Sequence, residues 1–289
     1  MIDAHVHIGD FARQAWAVPF PVLRRAFTVE DLERIATNFG VSGFIVVAAE
    51  GTLSETLELL QTAAGTPLIA GVVGWVDLSS PGAAGEQLER VLAADTARCL
   101  VGVRHQLQLE ADPRWLARPE VRMSLRAVAA AGLAYDVVIS PQQLTLVRET
   151  VAALPELRFI LDHAGKPPIA SGELAGWRTE LTSLSRLPNV AVKISGLVTE
   201  AGARGWQSAQ LDPVIDTVID CFGPQRTMFG SDWPVCMLAA SYGEVLEGVG
   251  AALVQRDERA RAAVMQDSAR RWYAISAPSE TSYRQRAVA

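Results

Sequence analysis

The chain has 289 residues, of which 49% are hydrophobic and 20% charged, and its formal net charge is −6. This composition is typical of a globular protein with a large core and excludes a disordered or fibrous chain. Basic residues alternate with acidic ones instead of clustering, so we expect no nucleic-acid or membrane-surface partner. We find no signal peptide and no membrane-spanning run, and three widely separated cysteines fit a reducing compartment, so we expect a cytoplasmic protein.

The first predicted strand contains a pair of histidines. Residues 2–9 read IDAHVHIG, and alternate residues of a strand share one face, so His5 and His7 should project together. By itself such a pair fits a solvent-facing edge strand as well as a functional site. The loop that follows, residues 10–28, is long for a strand-to-helix connection and is therefore a candidate binding loop.

Apolar runs and amphipathic segments then alternate to the end of the chain. Strands are predicted to end near His7 and to span 43–49, 69–76, 100–104, 133–138, 158–162, 190–194 and 226–230. Helices are predicted near 29–39, 54–64, 84–94, 121–131, 141–154, 173–187 and 212–222, with a helical tail at about 242–275. Eight such units predict an α/β fold, a (β/α)₈ TIM barrel formed as one domain by residues 1–289. A doubly wound open sheet alternates in the same way, but it usually has a glycine-rich phosphate loop where this chain has its histidine pair.

Active sites of such barrels lie at the carboxyl ends of the strands. The polar and aromatic residues at the predicted ends are His5, His7, Trp75, Asp77, Arg104, His105, Asp136, His163, Lys166, Lys193, Ser195, Asp232 and Trp233. All four histidines of the chain belong to this set, which a random scatter would not produce. Trp75 could equally be a packing aromatic, and Lys193 a structural partner of a buried carboxylate. Asp232 stands out because Pro234 stops the strand directly behind it.

Several of these segments together resemble the amidohydrolase superfamily, and more narrowly its L-fuconolactonase-like branch of sugar lactone hydrolases. They are residues 3–7 (DAHVH), 74–78 (GWVDL), 102–105 (GVRH), 161–168 (LDHAGKPP), 189–197 and 229–235 (FGSDWPV). The resemblance implies a barrel enzyme whose catalytic residues are His5, His7, His163 and Asp232. We further predict that substrate is contacted by Arg104, His105, Lys166, Trp75, Asp77, Trp233 and Arg25.

The resemblance also bears on metal. Metal-rich members of the superfamily add a lysine or glutamate on strand 4 and a histidine on strand 5, where this chain has Arg104 and Asp136. A binuclear centre would therefore lack ligands. One Zn²⁺ held by His5, His7, His163 and Asp232 is chemically reasonable. Because the branch includes members that work without metal, we expect no required cofactor and an optional single zinc.

The function that these observations imply is hydrolysis of an aldonolactone such as L-fuconolactone. Asp232 would deprotonate water, and the histidines with Arg104 or Lys166 would stabilise the oxyanion. A sugar lactone isomerase, a zinc-dependent decarboxylase and a non-catalytic binding barrel are the alternatives. The expected partner is the small-molecule lactone, with a homo-oligomer possible; the sequence leaves the identity of the sugar open.

Overall fold

The computed structural model describes residues 1–202 and 205–275, so residues 276–289 of the predicted domain lie outside the described part. Eight parallel strands form one sheet in which each strand pairs with the next along the chain. They are β1 (Ile2–Val6), β2 (Gly43–Val47), β3 (Ile69–Gly74), β4 (Leu100–Gln106), β5 (Ala134–Val138), β6 (Arg158–Leu161), β7 (Val190–Ile194) and β8 (Thr227–Phe229). The predicted TIM barrel is thereby confirmed.

Helices follow the strands as the amphipathic segments predict. They are α1 (Val29–Phe39), α2 (Leu53–Ala64), α3 (Pro81–Ala94), α4 (Pro119–Ala130), α5 (Leu144–Ala153), α6 (Ala175–Ser185), α7 (Leu197–Ala201), α8 (Ser208–Phe222), α9 (Tyr242–Leu253), α10 (Glu258–Ala262) and α11 (Ser268–Trp272). The helix predicted from 141 begins with a 3₁₀ turn, Pro141–Gln143, and becomes α-helical only at α5. Among the described residues, no helix is both long and apolar enough to cross a membrane.

The two ends of the long loop after β1 are held together by a short antiparallel ribbon. Gly9–Asp10 pairs antiparallel with Ala26–Phe27, and two 3₁₀ turns, Phe11–Arg13 and Pro21–Leu23, fill the space between. The ribbon fixes both ends of the loop, so the loop crosses the mouth of the barrel as a defined structure.

The ring of strands closes between β1 and β8 without a regular ladder. The amide of Asp232 donates to the carbonyl of His5 at 2.9 Å, and the amide of His7 donates to the carbonyl of Trp233 at 2.7 Å. Asp3 supports this closure seam from below, since its Oδ1 accepts from the amides of His5 at 3.1 Å and Ser231 at 2.9 Å. These backbone hydrogen bonds between β1 and the segment after β8, which we call the closure seam, therefore hold His5 and His7 next to Asp232.

Two apolar clusters stabilise the barrel. The larger packs the helices against the outside of the sheet. The smaller lies inside the ring and combines residues of the strands with residues of α11 and the position after it, namely Ile2, Ala4, Ile45, Val47, Val73, Val101, Ala134, Ile160, Ala191, Met228, Ala269, Trp272 and Tyr273. The predicted helical tail is thus not a separate appendage, because its last helix, α11, supplies part of the interior.

We expect the Asp3 carboxylate to set a measurable part of the stability. Asp3→Ala leaves two buried amides without an acceptor and should lower the free energy of unfolding by about 3 kcal/mol, whereas Asp3→Asn retains an acceptor. Urea denaturation followed by circular dichroism measures both.

The same residue should make stability depend on pH. Burial raises the pKa of Asp3 to about 6, against the amide hydrogen bonds that lower it. A raised carboxyl pKa means that the folded state binds the proton more tightly, so stability is lost as pH rises through 6. Relative to wild type, Asp3→Asn should therefore gain about 3 kcal/mol between pH 4 and pH 7. A difference that does not change with pH would contradict this role.

Candidate active site

Three of the predicted catalytic residues meet at the closure seam. Nε2 of His7 lies 3.4 Å from Oδ1 of Asp232, and Nε2 of His5 lies 3.6 Å from the same oxygen. The rings of His5 and His7 are 5.0 Å apart edge to face. The histidine pair of the first strand is therefore not an edge-strand feature, since both rings converge on one buried carboxylate.

His163 completes the group from the opposite side. Its ring lies 4.6 Å from the ring of His5, and its Nδ1 is hydrogen-bonded to Oγ of Ser195 at 2.9 Å. Behind it, a Cβ on Gly196 would lie 2.7 Å from Nδ1 of His163 and 3.0 Å from Oδ2 of Asp232. Only a glycine lets the backbone after β7 approach the two side chains this closely.

The backbone at these positions is strained. His163 has a φ of 53°, Ala164 of 50°, Lys166 of 54° and Asp232 of 60°, all in the left-handed region that L-residues rarely adopt. Such conformations persist only where the surrounding structure enforces them, and they cluster at functional sites. Here they turn the side chains after β6 and β8 towards one point.

The electrostatics of the site favour an ionised aspartate beside neutral histidines. Burial alone would raise the pKa of Asp232, but the neighbouring His163 and the nearby His7 and His5 together hold it below its usual range. Burial lowers the pKa of His5 and, less strongly, of His163, although adjacent carboxylates oppose the shift. Near neutral pH Asp232 is therefore a carboxylate that can accept a proton.

An ionic layer lies directly beneath these rings. Nζ of Lys193, which is fully buried, contacts Oδ2 of Asp136 at 2.6 Å, Oδ1 of Asp162 at 3.0 Å and Nδ1 of His5 at 3.2 Å. The hydroxyl of Tyr273 donates to the same Oδ2 of Asp136 at 2.5 Å. The layer therefore connects the end of α11 to the first histidine of the chain.

The carboxyl end of β2 holds further site residues through its carbonyls. The carbonyl of Val47 accepts from Nδ1 of His7 at 2.7 Å, and the carbonyl of Ala48 accepts from the guanidinium of Arg104. The backbone just beyond is clamped by Glu55, whose carboxylate accepts from the amides of residues 49, 50 and 51 at 2.6, 2.9 and 3.2 Å. Glu55 thereby fixes the peptide group between Ala48 and Ala49, whose carbonyl orients Arg104.

A cavity of about 290 Å³ opens above the histidines. Its lining combines polar groups with an apolar side, and its members are His7, Trp16, Phe20, Ala49, Arg104, Gln106, Gln108, Leu109, Val138, His163, Lys166, Thr199, Asp232, Val235 and Leu238. Lys166 is anchored there by Oε1 of Glu200 at 2.9 Å. Of the predicted substrate contacts, Arg104 and Lys166 therefore line the cavity.

Two predicted substrate contacts, His105 and Trp233, do not line the cavity. His105 is turned away by the alternation of side chains along its strand, and Trp233 is packed against another ring. β4 continues past Arg104, so His105 faces away, stacks on Trp115 with ring centroids 4.0 Å apart and binds Glu110 at 2.6 Å. The indole of Trp233 is buried edge to face against Phe27 at 5.1 Å. Only three of the four histidines therefore converge.

The remaining three predicted substrate contacts, Arg25, Asp77 and Trp75, contact neighbouring residues instead of the cavity. Arg25 pairs with Asp31 at 2.9 Å, so within its loop only residues nearer Trp16 and Phe20 reach the cavity. Asp77 accepts from the amide of Ser79 at 2.9 Å and from its hydroxyl at 2.6 Å. Trp75 packs beside Gly51. None of the three side chains belongs to the lining that the described residues form around the histidines.

Some residues of the site were not predicted. Gln106 lies two residues beyond Arg104 in β4, so strand alternation could have placed it beside Arg104, whereas Gln108 lies in the 3₁₀ turn Leu107–Leu109 beyond the end of the strand. Tyr273 carries no local signal, because its partner Asp136 is 137 residues away along the chain. Composition offers one further sign: only two lysines occur among 26 basic residues, and both, Lys166 and Lys193, lie at the site.

The donor atoms also suit a metal ion. A carbonyl can only accept, so Nδ1 of His7 carries the proton that it gives to Val47, and its Nε2 lone pair faces the Asp232 carboxylate. Two lone pairs that face each other require a proton or a cation between them. His5, His7 and Asp232 form one group of ligand atoms close enough to share an ion, and His5, Asp162 and His163 form another.

Comparison with known proteins agrees with this architecture. Residues 2–275 match the family model described as amidohydrolase. The chain belongs to the amidohydrolase family. This amidohydrolase is 37% identical to the L-fucono-1,5-lactonase of Burkholderia multivorans over 96% of this chain and 97% of that one. It is also 37% identical to the L-fucono-1,5-lactonase of Burkholderia ambifaria, over 84% and 83% of the two chains.

A solved structure gives the same relationship in three dimensions. A Burkholderia multivorans amidohydrolase crystallised with bound zinc superposes with a TM-score of 0.89 at 37% identity, covering 95% of this chain and 99% of that one. A protein of the same fold, 37% identical to this chain, therefore binds zinc in its crystal.

A substitution at Gly196 tests whether activity depends on the close packing of the backbone against His163 and Asp232. Gly196→Ala places a methyl group against His163 and Asp232 and should reduce kcat/KM on its substrate by about 10²-fold, the cost of displacing reacting groups by roughly 1 Å. Gly172→Ala is the matched control, because Gly172 has a φ of 73° but nothing within 4 Å of its added Cβ. Both variants should lose about 1 kcal/mol of stability, and only the first should lose activity. Equal activities would contradict the close packing.

Proposed function

We propose that this amidohydrolase hydrolyses the lactone of a sugar acid, with Asp232 as the general base. The observation that carries the proposal is the ionised Asp232 carboxylate, which borders the cavity within 3.6 Å of two histidine nitrogens. The substrate class comes from the two L-fucono-1,5-lactonases that match this chain over most of their length. The cavity, at about 290 Å³, is close to the lower limit of about 300 Å³ for small-molecule sites and suits a single sugar ring.

The mechanism follows from the placement of charges. A lactone is an activated ester, so water can attack its carbonyl carbon directly once a base removes a proton. Asp232 takes that proton while Arg104, Lys166 and the histidines stabilise the negative oxygen of the tetrahedral intermediate. When the ring C–O bond breaks, the protonated Asp232 returns the proton to the departing alkoxide. The product is a hydroxy acid, which ionises and releases one proton to solvent.

Zinc is an optional addition to this site. It would be held by Nε2 of His7 and a carboxylate oxygen of Asp232, with His5 and His163 as further candidate ligands. When bound, it would polarise the carbonyl and lower the pKa of water. Arg104 already places a fixed positive charge 3.4 Å from Nε2 of His5, so the chain has a cation of its own for the same purpose. The cytoplasmic location and the possible homo-oligomer stay predictions.

Asp232→Asn tests the assignment of the base. The amide keeps the shape of the side chain but cannot accept the proton, so kcat should fall by about 10²-fold or more. Asp216→Asn, on the exposed face of α8, is the matched control and should keep full activity. Near-normal turnover by the Asp232 variant, with an unchanged melting temperature, would eliminate Asp232 as the base.

Substrate and metal can be tested together by a pH-indicator assay of aldonolactones. We expect acid release from at least one 1,5-lactone, and we expect the rate to survive chelation and removal of metal confirmed by elemental analysis. Complete loss of activity that Zn²⁺ restores would show that zinc is required. A lactone that is consumed without acid release would indicate isomerisation instead.

A further inference from the structure

The fourth histidine of the chain, His105, does not join the other three, but it directly precedes a segment that lines the cavity. Gln106, Gln108 and Leu109 all belong to the cavity lining. Gln106 is the last residue of β4, and the other two lie in the 3₁₀ turn Leu107–Leu109. One side of the cavity is therefore formed by the few residues that follow His105.

Burial of apolar side chains fixes only the beginning of this turn. Leu107 is buried, and its carbonyl accepts from Nε2 of Gln143 at 3.1 Å. Leu109, in contrast, is 72% exposed, so its side chain does not anchor the turn to the core. The far end of the turn needs another restraint if Gln108 and Leu109 are to keep one position at the cavity.

A hydrogen bond between His105 and Glu110 supplies that restraint. Nε2 of His105 lies 2.6 Å from Oε1 of Glu110, and residues 106–109 lie between the two partners. A carboxylate can only accept, so Nε2 carries the proton. Such a charge-assisted hydrogen bond is roughly twice as strong as one between neutral groups. It therefore ties both ends of the cavity-lining segment together.

The imidazole ring of His105 is itself held in place. It stacks on the buried ring of Trp115 with an interplanar angle of 5°. Within residues 1–202 and 205–275, Nδ1 of His105 is buried without a hydrogen-bond partner, so a second proton there would have no acceptor. Burial accordingly lowers the pKa of His105, although Glu110 and Asp77 raise it. The ring is thus a neutral, fixed donor to Glu110.

We propose that His105 is a positioning residue for substrate recognition, which fixes Gln106, Gln108 and Leu109 at the cavity by holding Glu110. Each glutamine amide offers a donor and an acceptor to hydroxyl groups, and the leucine offers an apolar surface. A sugar lactone has both kinds of surface. The recognition of a lactone rests on the proposed function, whereas the positioning of the segment does not.

The reacting groups are held by other contacts. Asp232 and the first-strand histidines are joined at the closure seam, and Arg104 is bound by the carbonyl of Ala48. Loss of the hydrogen bond from His105 should therefore weaken the binding of substrate and transition state alike. A loss of that kind raises KM and leaves kcat unchanged.

Hydrogen–deuterium exchange tests the positioning without any substrate. His105→Phe keeps a ring against Trp115 but removes the N–H donor, so peptides that cover residues 106–112 should exchange about tenfold faster or more. Glu110→Leu removes the acceptor from a side chain that is 29% exposed and should have the same effect. It serves as the test if His105→Phe does not fold.

Ser268→Ala is the matched control for a lost hydrogen bond. The buried hydroxyl of Ser268 donates to the carbonyl of Pro224 at 2.8 Å, before β8 and so at the opposite end of the barrel from the cavity. Its removal should leave exchange in residues 106–112 unchanged. Exchange there that is equally slow in wild type, His105→Phe and Glu110→Leu would overturn the proposal.

Kinetics on the aldonolactone that turns over fastest test recognition. His105→Phe and Glu110→Leu should each raise KM by about tenfold with kcat nearly unchanged, and should raise the inhibition constant of the hydroxy acid product to a similar degree. Glu110→Gln should restore most of the affinity, because its amide oxygen still accepts from Nε2. When Gln106→Ala and Gln108→Ala are already present, His105→Phe should have little further effect on KM.

A KM that rises just as much in that double-alanine background, or a loss confined to kcat, would overturn the role in recognition. If no aldonolactone is hydrolysed, the proposed function fails, and the exchange measurement still decides whether His105 positions the segment. The two failures are therefore distinguishable.

Discussion

The site depends on a charge cluster that is closed off from water inside the barrel. Lys193 lies between Asp136 and Asp162, and all three side chains are fully buried. Removing one partner of such a buried pair usually costs about 3–5 kcal/mol, because the remaining charge has no solvent to replace it. The cluster sits two residues further along each strand than Ala134, Ile160 and Ala191 of the interior apolar layer, so strand alternation stacks the charges directly on the core.

The site side chains above this charge cluster are held in fixed orientations. His7 and Arg104 are oriented by carbonyls of β2, and His163 and Asp232 sit on strained backbone that glycine packing holds in place. Groups arranged in this way need little reorganisation when charge develops on a substrate, and this is the main source of electrostatic catalysis. Closure of the barrel at the seam thus also brings together His5, His7 and Asp232, which we propose as catalytic residues.

The fold and the centre of the site could be predicted from local patterns. Apolar runs of strand length locate the eight strands, and the ends of those strands bring His5, His7, His163 and Asp232 together. The residues around this centre could not be predicted, because β4 continues past its predicted end at residue 104. His105 therefore lies within the strand, where alternation turns its side chain away from the side that Arg104 faces. Tyr273 was equally hidden, since its role arises from tertiary packing and leaves no periodic pattern in the sequence.

The central claim is that water, activated in this site, opens a sugar lactone at its carbonyl carbon. The most direct measurement is turnover of a 1,5-aldonolactone in H₂¹⁸O, followed by mass spectrometry of the product and its fragments. Attack by water at the carbonyl predicts one ¹⁸O atom, located in the carboxylate, with the released hydroxyl unlabelled. A product with no label, or with the label on the hydroxyl carbon, would contradict this mechanism.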